Sequence, residues 1–171
     1  IVVPETVFPG VALDAAGVAV AAAFFGDEIN GFRDELVAAQ QDAGAALLVG
    51  SLTRDGLRTE TTDAGERLAW DAAYNSAYLL TGGDVVAQRY DKLRPTPFGE
   101  TLPYVQNLPW LRDLIIRIGL GASGMDFGLA WGERPVVFSV PAADGAIGVA
   151  SPICFESSMS RVVRALVARG E

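Results

Sequence analysis

The sequence contains no histidine. That absence excludes a Ser-His-Asp triad, a Cys-His dyad and any zinc site built on histidine, so no metal is expected. Cysteine occurs once, at position 154, so no disulfide can close within the chain and pairing says nothing about the redox compartment. No run of about 18 or more apolar residues occurs, so no segment is long enough to span a bilayer as a helix. The stretch 10–25 is apolar, but Asp14 and several small residues interrupt it, and it reads as a loop followed by a buried helix. The chain opens directly on the strand-like Ile1-Val2-Val3, so no signal peptide is expected.

Positive charge is also scarce. Lys and Arg number 13 against 21 Asp and Glu, giving a net charge of −8 and a pI near 4.5. A general nucleic-acid binder needs a basic surface to neutralise phosphates, so no nucleic-acid partner is expected. Adhesion to anionic lipid by charge alone is disfavoured for the same reason. What is present is apolar: half of the 171 residues are hydrophobic and only 20% are charged. That is enough for one domain with a real core.

Apolar periodicity and turn chemistry divide the chain into strands and helices. Residues 1–3 read as the end of a strand, followed by the loop Pro4-Glu5-Thr6. A helix is expected over 27–41, with Ile29, Phe32, Leu36 and Val37 on one face and Gly44 as its stop. Residues 45–52 read as a short buried strand, ended by the turn Arg54-Asp55-Gly56. Strands over 73–81 and 85–93 flank the hairpin turn Gly82-Gly83-Asp84. A proline-rich loop over 94–108 leads to a helix over 109–118 with Pro109 in its first turn, then to a Gly-rich stretch over 119–132. Strands over 135–140 and 146–153 surround the turn Ala143-Asp144-Gly145. A last helix over 158–168 carries the stripe Met159, Val162, Val163, Leu166 and Val167. Interleaved hairpins and helices favour a mixed α/β sandwich over a purely doubly wound sheet. The chain begins inside a strand and stops after a helix, so truncation at both ends is expected.

Three residues stand at expected strand ends. Cys154 follows an apolar strand and precedes a polar segment and a helix. Such a corner projects a nucleophile and leaves backbone N–H groups free to hold an oxyanion. Position alone favours the plainer alternative, a buried core cysteine. With no histidine, the base for a nucleophilic Cys154 has to be a carboxylate or an amine. Lys92, in Tyr90-Asp91-Lys92-Leu93, and Glu5, after Pro4, read singly as solvated charges, and Glu100 as a surface loop carboxylate. Strand ends on one side of a sheet are nonetheless where sites are assembled.

Val2-Val3-Pro4-Glu5-Thr6, then Tyr90-Asp91-Lys92 with Pro97-Phe98-Gly99-Glu100, then Ile153-Cys154-Phe155-Glu156, occur in that order. They resemble the three signatures of the nitrilase (carbon–nitrogen hydrolase) superfamily. Tyr74-Asn75-Ser76, with the Lys92-to-Glu100 motif and Pro103, is most similar to the apolipoprotein N-acyltransferase family within it. The chain departs from that pattern at Val3 (often Trp), at Arg94-Pro95-Thr96 (more usually His-Leu-Val), at Phe155 (Tyr) and over 157–160.

The resemblance implies a nitrilase-like α-β-β-α sandwich, with 1–171 a partial carbon–nitrogen hydrolase domain. It makes Glu5 the general base, Lys92 the oxyanion partner and Cys154 the nucleophile. Glu100 matches a second glutamate that keeps Lys92 in place and charged. Glu156 matches the acidic residue two after the cysteine, and the Phe155 N–H is a candidate second oxyanion donor. No cofactor is implied. The donor would be a membrane phospholipid and the acceptor the N-terminal cysteine of an apolipoprotein. The implied location is the periplasmic side of the bacterial inner membrane, with membrane association through parts outside this chain. The loop 94–110, with Phe98, Tyr104 and Trp110, would then face lipid. Two alternatives stay open. One is a soluble, cytoplasmic amidase or nitrilase using the same three residues with water as acceptor. The other is a non-catalytic interaction domain of the same fold, in which Lys92 and Cys154 would be dispensable.

Overall fold

The computed structural model describes residues 11–96 and 129–169. The strand end at 1–3, the helix over 109–118, most of the Gly-rich stretch, the aromatic loop residues, Glu5 and Glu100 lie outside the described residues. The described chain mixes helices with antiparallel sheets.

Asp14 starts helix α1 (Ala15–Phe25) by accepting a hydrogen bond from the Gly17 N–H at 2.9 Å. Only Gly17 and Ala21 of this helix are buried, and Phe25 is 53% exposed, so the buried helix expected here is largely a surface one. The helix expected over 27–41 divides into a 3-10 turn, Asp27–Asn30, and α2 (Gly31–Ala43). Leu36 and Val37 pack inward, whereas Phe32 is exposed. α2 ends at Gly44, whose φ of 57° suits glycine.

Strands β1 (Leu47–Asp55), β4 (Ala72–Thr81) and β5 (Asp84–Asp91) form one antiparallel sheet in the order β1-β4-β5. Gly82 and Gly83 both have positive φ in the β4–β5 turn, as a tight two-residue hairpin demands. Between β1 and β4 lies a second hairpin, β2 (Arg58–Thr62) and β3 (Gly65–Ala69), which the sequence pattern did not announce. Its residues are mostly exposed and present no apolar face, so the period-2 signal of a half-buried strand is missing. β6 (Val137–Ala142) and β7 (Gly145–Ala150) form a third hairpin. Gln88 Nε2 ties it to β5 by donating to Val137 O at 2.9 Å. The strand expected over 146–153 stops at Ala150; Pro152 follows shortly, where a ladder N–H would be lost. A short 3-10 helix, Cys154–Ser158, then leads into α3 (Ser160–Val167).

Both faces of the central sheet are covered. Leu48, Ala77, Leu79 and Tyr90 pack with Phe138, Ile153 and the α3 residues Val162 and Leu166. Leu47, Val49, Tyr78 and Leu80 pack on the other face with Leu13, Leu36 and Val37. The strand period of two separates these sets. Pairing slips between β4 and β5: Tyr78 faces Arg89 and Leu80 faces Val85, so Val86, Ala87 and Gln88 stand opposite Leu79 alone.

Candidate active site

Lys92 continues the ladder one step past β5: its N–H donates to Asn75 O at 2.8 Å. Two residues after Tyr90, it falls on the same face of the sheet. It is 1% exposed, so the solvated surface lysine that residue type alone favours is not what the fold makes. Its Nζ lies 3.4 Å from Thr96 Oγ1. Burying an ammonium is costly unless charge and hydrogen bonds compensate it, so a position like this is not a neutral choice of residue.

Cys154 departs from its residue-type default in the opposite sense. The single cysteine is exposed rather than buried in the core. Its φ is +53°, and no other non-glycine among the described residues has a positive φ. L-residues with a Cβ adopt that conformation at a cost, and such strain is concentrated at functional corners. The side-chain hydroxyls of Ser157 and Ser158 brace the corner, donating to Cys154 O at 2.8 Å and Phe155 O at 2.7 Å. Phe155 is 49% exposed and stands in the first turn of the short helix, where N–H groups lack intrahelical partners.

One carboxylate joins the two segments. Glu156 is fully buried. Its Oε2 accepts from the Tyr90 hydroxyl at 2.8 Å and from the Ile153 N–H at 3.0 Å, and its Oε1 accepts from the Arg94 N–H at 3.0 Å. Tyr90 and Arg94 flank Lys92, and Ile153 precedes Cys154. Burial, and then the Glu156 charge, raise the Tyr90 phenol above its usual pKa, so it stays a donor. Sequence reasoning assigned no role to Tyr90, although its place two residues before Lys92 was a usable signal. It also missed Gly132. The Gly132 N–H donates to Lys92 O at 2.8 Å, and a Cβ at Gly132 would collide with the Asp91 carbonyl.

The opposite face of the sheet carries a separate charge network. Arg89 grips Asp55 at 2.7 and 3.0 Å and Asp91 at 2.9 Å, while Ser76 Oγ donates to Asp91 at 2.6 Å. A cavity of about 1020 Å³ opens there, lined by Asp55, Tyr74, Arg89, Asp91 and Glu133 among others. Neither Lys92 nor Cys154 lines it. Among the described residues no helix is long and apolar enough to cross a membrane.

The chain is 36% identical over 100 residues to the apolipoprotein N-acyltransferase of Chlorobaculum tepidum, covering 58% of this chain and 18% of that protein. It is 34% identical over 107 residues to the enzyme of that name from Geobacter metallireducens, covering 62% and 18%. It is 31% identical over 128 residues to apolipoprotein N-acyltransferase 2 of Treponema pallidum, covering 74% and 20%. No protein-family model matches the chain. The chain spans about a fifth of the length of these curated relatives. On this similarity the chain is a partial match to the apolipoprotein N-acyltransferases.

Proposed function

We propose that this chain carries acyl transfer through a thioester on Cys154, moving a fatty acyl group from a phospholipid to the N-terminal amine of an apolipoprotein's first cysteine. The observation that carries this reading is the joining of Lys92 and Cys154 segments through the Glu156 carboxylate, with Cys154 exposed and Lys92 buried. The names of the similar proteins support the substrate class.

A free thiol has a pKa near 8.5, so only a few per cent is thiolate at neutral pH. Glu5 takes the thiol proton as sulfur attacks the ester carbonyl. The Lys92 ammonium and the Phe155 N–H stabilise the oxyanion, one such donor being worth about 3–4 kcal/mol. The carbonyl reforms, the lysophospholipid oxygen leaves with the proton held by Glu5, and the acyl group stays on sulfur. The acceptor amine then attacks the thioester, Glu5 takes its proton, and the thiol is regenerated. Glu100 holds Lys92 in its charged form.

In the same reading, residues 1–171 are part of one nitrilase-like domain with an α-β-β-α sandwich. That domain works on the periplasmic side of the bacterial inner membrane, held there by parts outside this chain. Intact enzyme treated with a thiol-reactive acyl probe is expected to be labelled at Cys154, and Cys154→Ala to be unlabelled. Equal labelling of both rules the nucleophile out.

A further inference from the structure

We propose that Tyr90 is a positioning residue of this site: through Glu156, its hydroxyl fixes the Lys92 strand end against the Cys154 corner. The inference rests on the acyl-transfer reading above.

The Tyr90 ring is fully buried in the cluster formed with Leu79, Phe138, Ile153 and Leu166. A phenylalanine would fill such a place without burying an oxygen. A phenol there has to recover the cost of desolvating its hydroxyl from a hydrogen bond. It does so on Glu156, whose Oε2 accepts at 2.8 Å. Among the described residues three groups donate to this carboxylate: the Tyr90 hydroxyl and the backbone N–H groups of Ile153 and Arg94. The three anchor points are 90 and 94, each two residues from Lys92, and 153, next to Cys154. Each of the two reactive residues thus lies between or beside groups tied to one pair of oxygens. Loosening that carboxylate lets the lysine shift against the sulfur with the two strands otherwise unchanged.

Two reactions of the same thiol separate positioning from packing. Acylation by a p-nitrophenyl ester forms a bond from Cys154 sulfur to the acyl carbon and expels nitrophenolate through an oxyanion that needs Lys92. Alkylation by iodoacetamide forms a sulfur–carbon bond and expels iodide with no oxyanion. A misplacement on the order of 1 Å costs up to about 100-fold in rate. In the full chain, Tyr90→Phe is therefore expected to slow the nitrophenolate burst by about 10- to 100-fold, with KM changed less than about 3-fold. Alkylation should stay within about 3-fold of wild type. Glu156→Gln should slow the burst similarly, and the double variant should fall little further, because the two side chains act as one unit. Val162→Ala, in the same apolar cluster, serves as the packing control and should leave the burst rate unchanged. A Tyr90→Phe burst close to wild type overturns the proposal, as does equal slowing of acylation and alkylation, or equal slowing by Val162→Ala. A burst that persists in Cys154→Ala refutes the acyl-transfer reading itself, and the positioning role falls with it.

Discussion

Replacing Cys154 by alanine and, separately, by glycine measures the strain stored at the corner it occupies. Both variants remove the thiol, so every contact of the sulfur cancels in the comparison. They differ in whether a Cβ remains at a φ of +53°. At an ordinary position glycine is less stable than alanine by roughly 0.5–1 kcal/mol, because the unfolded chain is freer. At a left-handed position alanine instead suffers the clash that costs an L-residue roughly 1–2 kcal/mol. The difference puts Cys154→Gly above Cys154→Ala by about 0–1.5 kcal/mol, reversing or cancelling the usual order. Little packing is at stake, since the residue is exposed. Urea unfolding of the two variants, compared at equal m-values, gives the difference directly. If glycine proves less stable than alanine by about 0.5 kcal/mol or more, the corner holds no strain and its geometry is unrelated to chemistry.

Gly132→Ala drives a Cβ into the Asp91 carbonyl, so either the 129–132 segment or the end of β5 has to move. A loss of about 1–3 kcal/mol in urea unfolding is expected, with slower acylation, and an unchanged midpoint would show that the contact is soft. Alkaline pH tests the other face. Burial pushes the Tyr78 phenol up to about 12 from its ordinary 10.0, opposed in part by its hydrogen bond with Thr53. Folding therefore favours the neutral phenol. The stability this contributes is complete below pH 10 and is lost as pH rises from about 10 to about 12, on the order of 2 kcal/mol. Tyr78→Phe should flatten the fall in unfolding free energy across that window. An equally steep fall in the variant would assign it to other groups, Tyr90 first, since its phenol is raised in the same direction.

Local chemistry was legible in the sequence; long-range consequences were not. The Gly82-Gly83 turn and the α3 stripe follow from rules that act over a few residues, and both appear in the structure. Val162 and Leu166 of that stripe are buried as the helical period requires, although Val167 is 55% exposed. The β2–β3 hairpin was missed because Arg58, Thr59, Thr61 and Thr62 face solvent and carry no apolar alternation. Lys92 and Cys154 inverted their residue-type defaults, one buried and the other exposed. The contacts that cause this span the chain: the Tyr90–Glu156 bond joins residues 66 apart, and the Arg94–Glu156 bond residues 62 apart. No local pattern encodes such a pairing. The motif spacing pointed to Glu156 but not to the way its carboxylate ties Tyr90 and Arg94 to Ile153.

The slip between β4 and β5 sets a rule for how this strand can change. Three residues face one across the slip, so the surplus is even, and side chains beyond it keep the faces they would have had without it. Arg89 and Asp91 stay with the charge network, and Tyr90 and Lys92 on the face where Glu156 is held. Loss or gain of a single residue between Val86 and Gln88 would exchange the two sets, sending the arginine toward Glu156 and the lysine toward Asp55. Length variation here is therefore tolerable only in steps of two, a parity constraint set several residues away from the side chains whose faces it fixes.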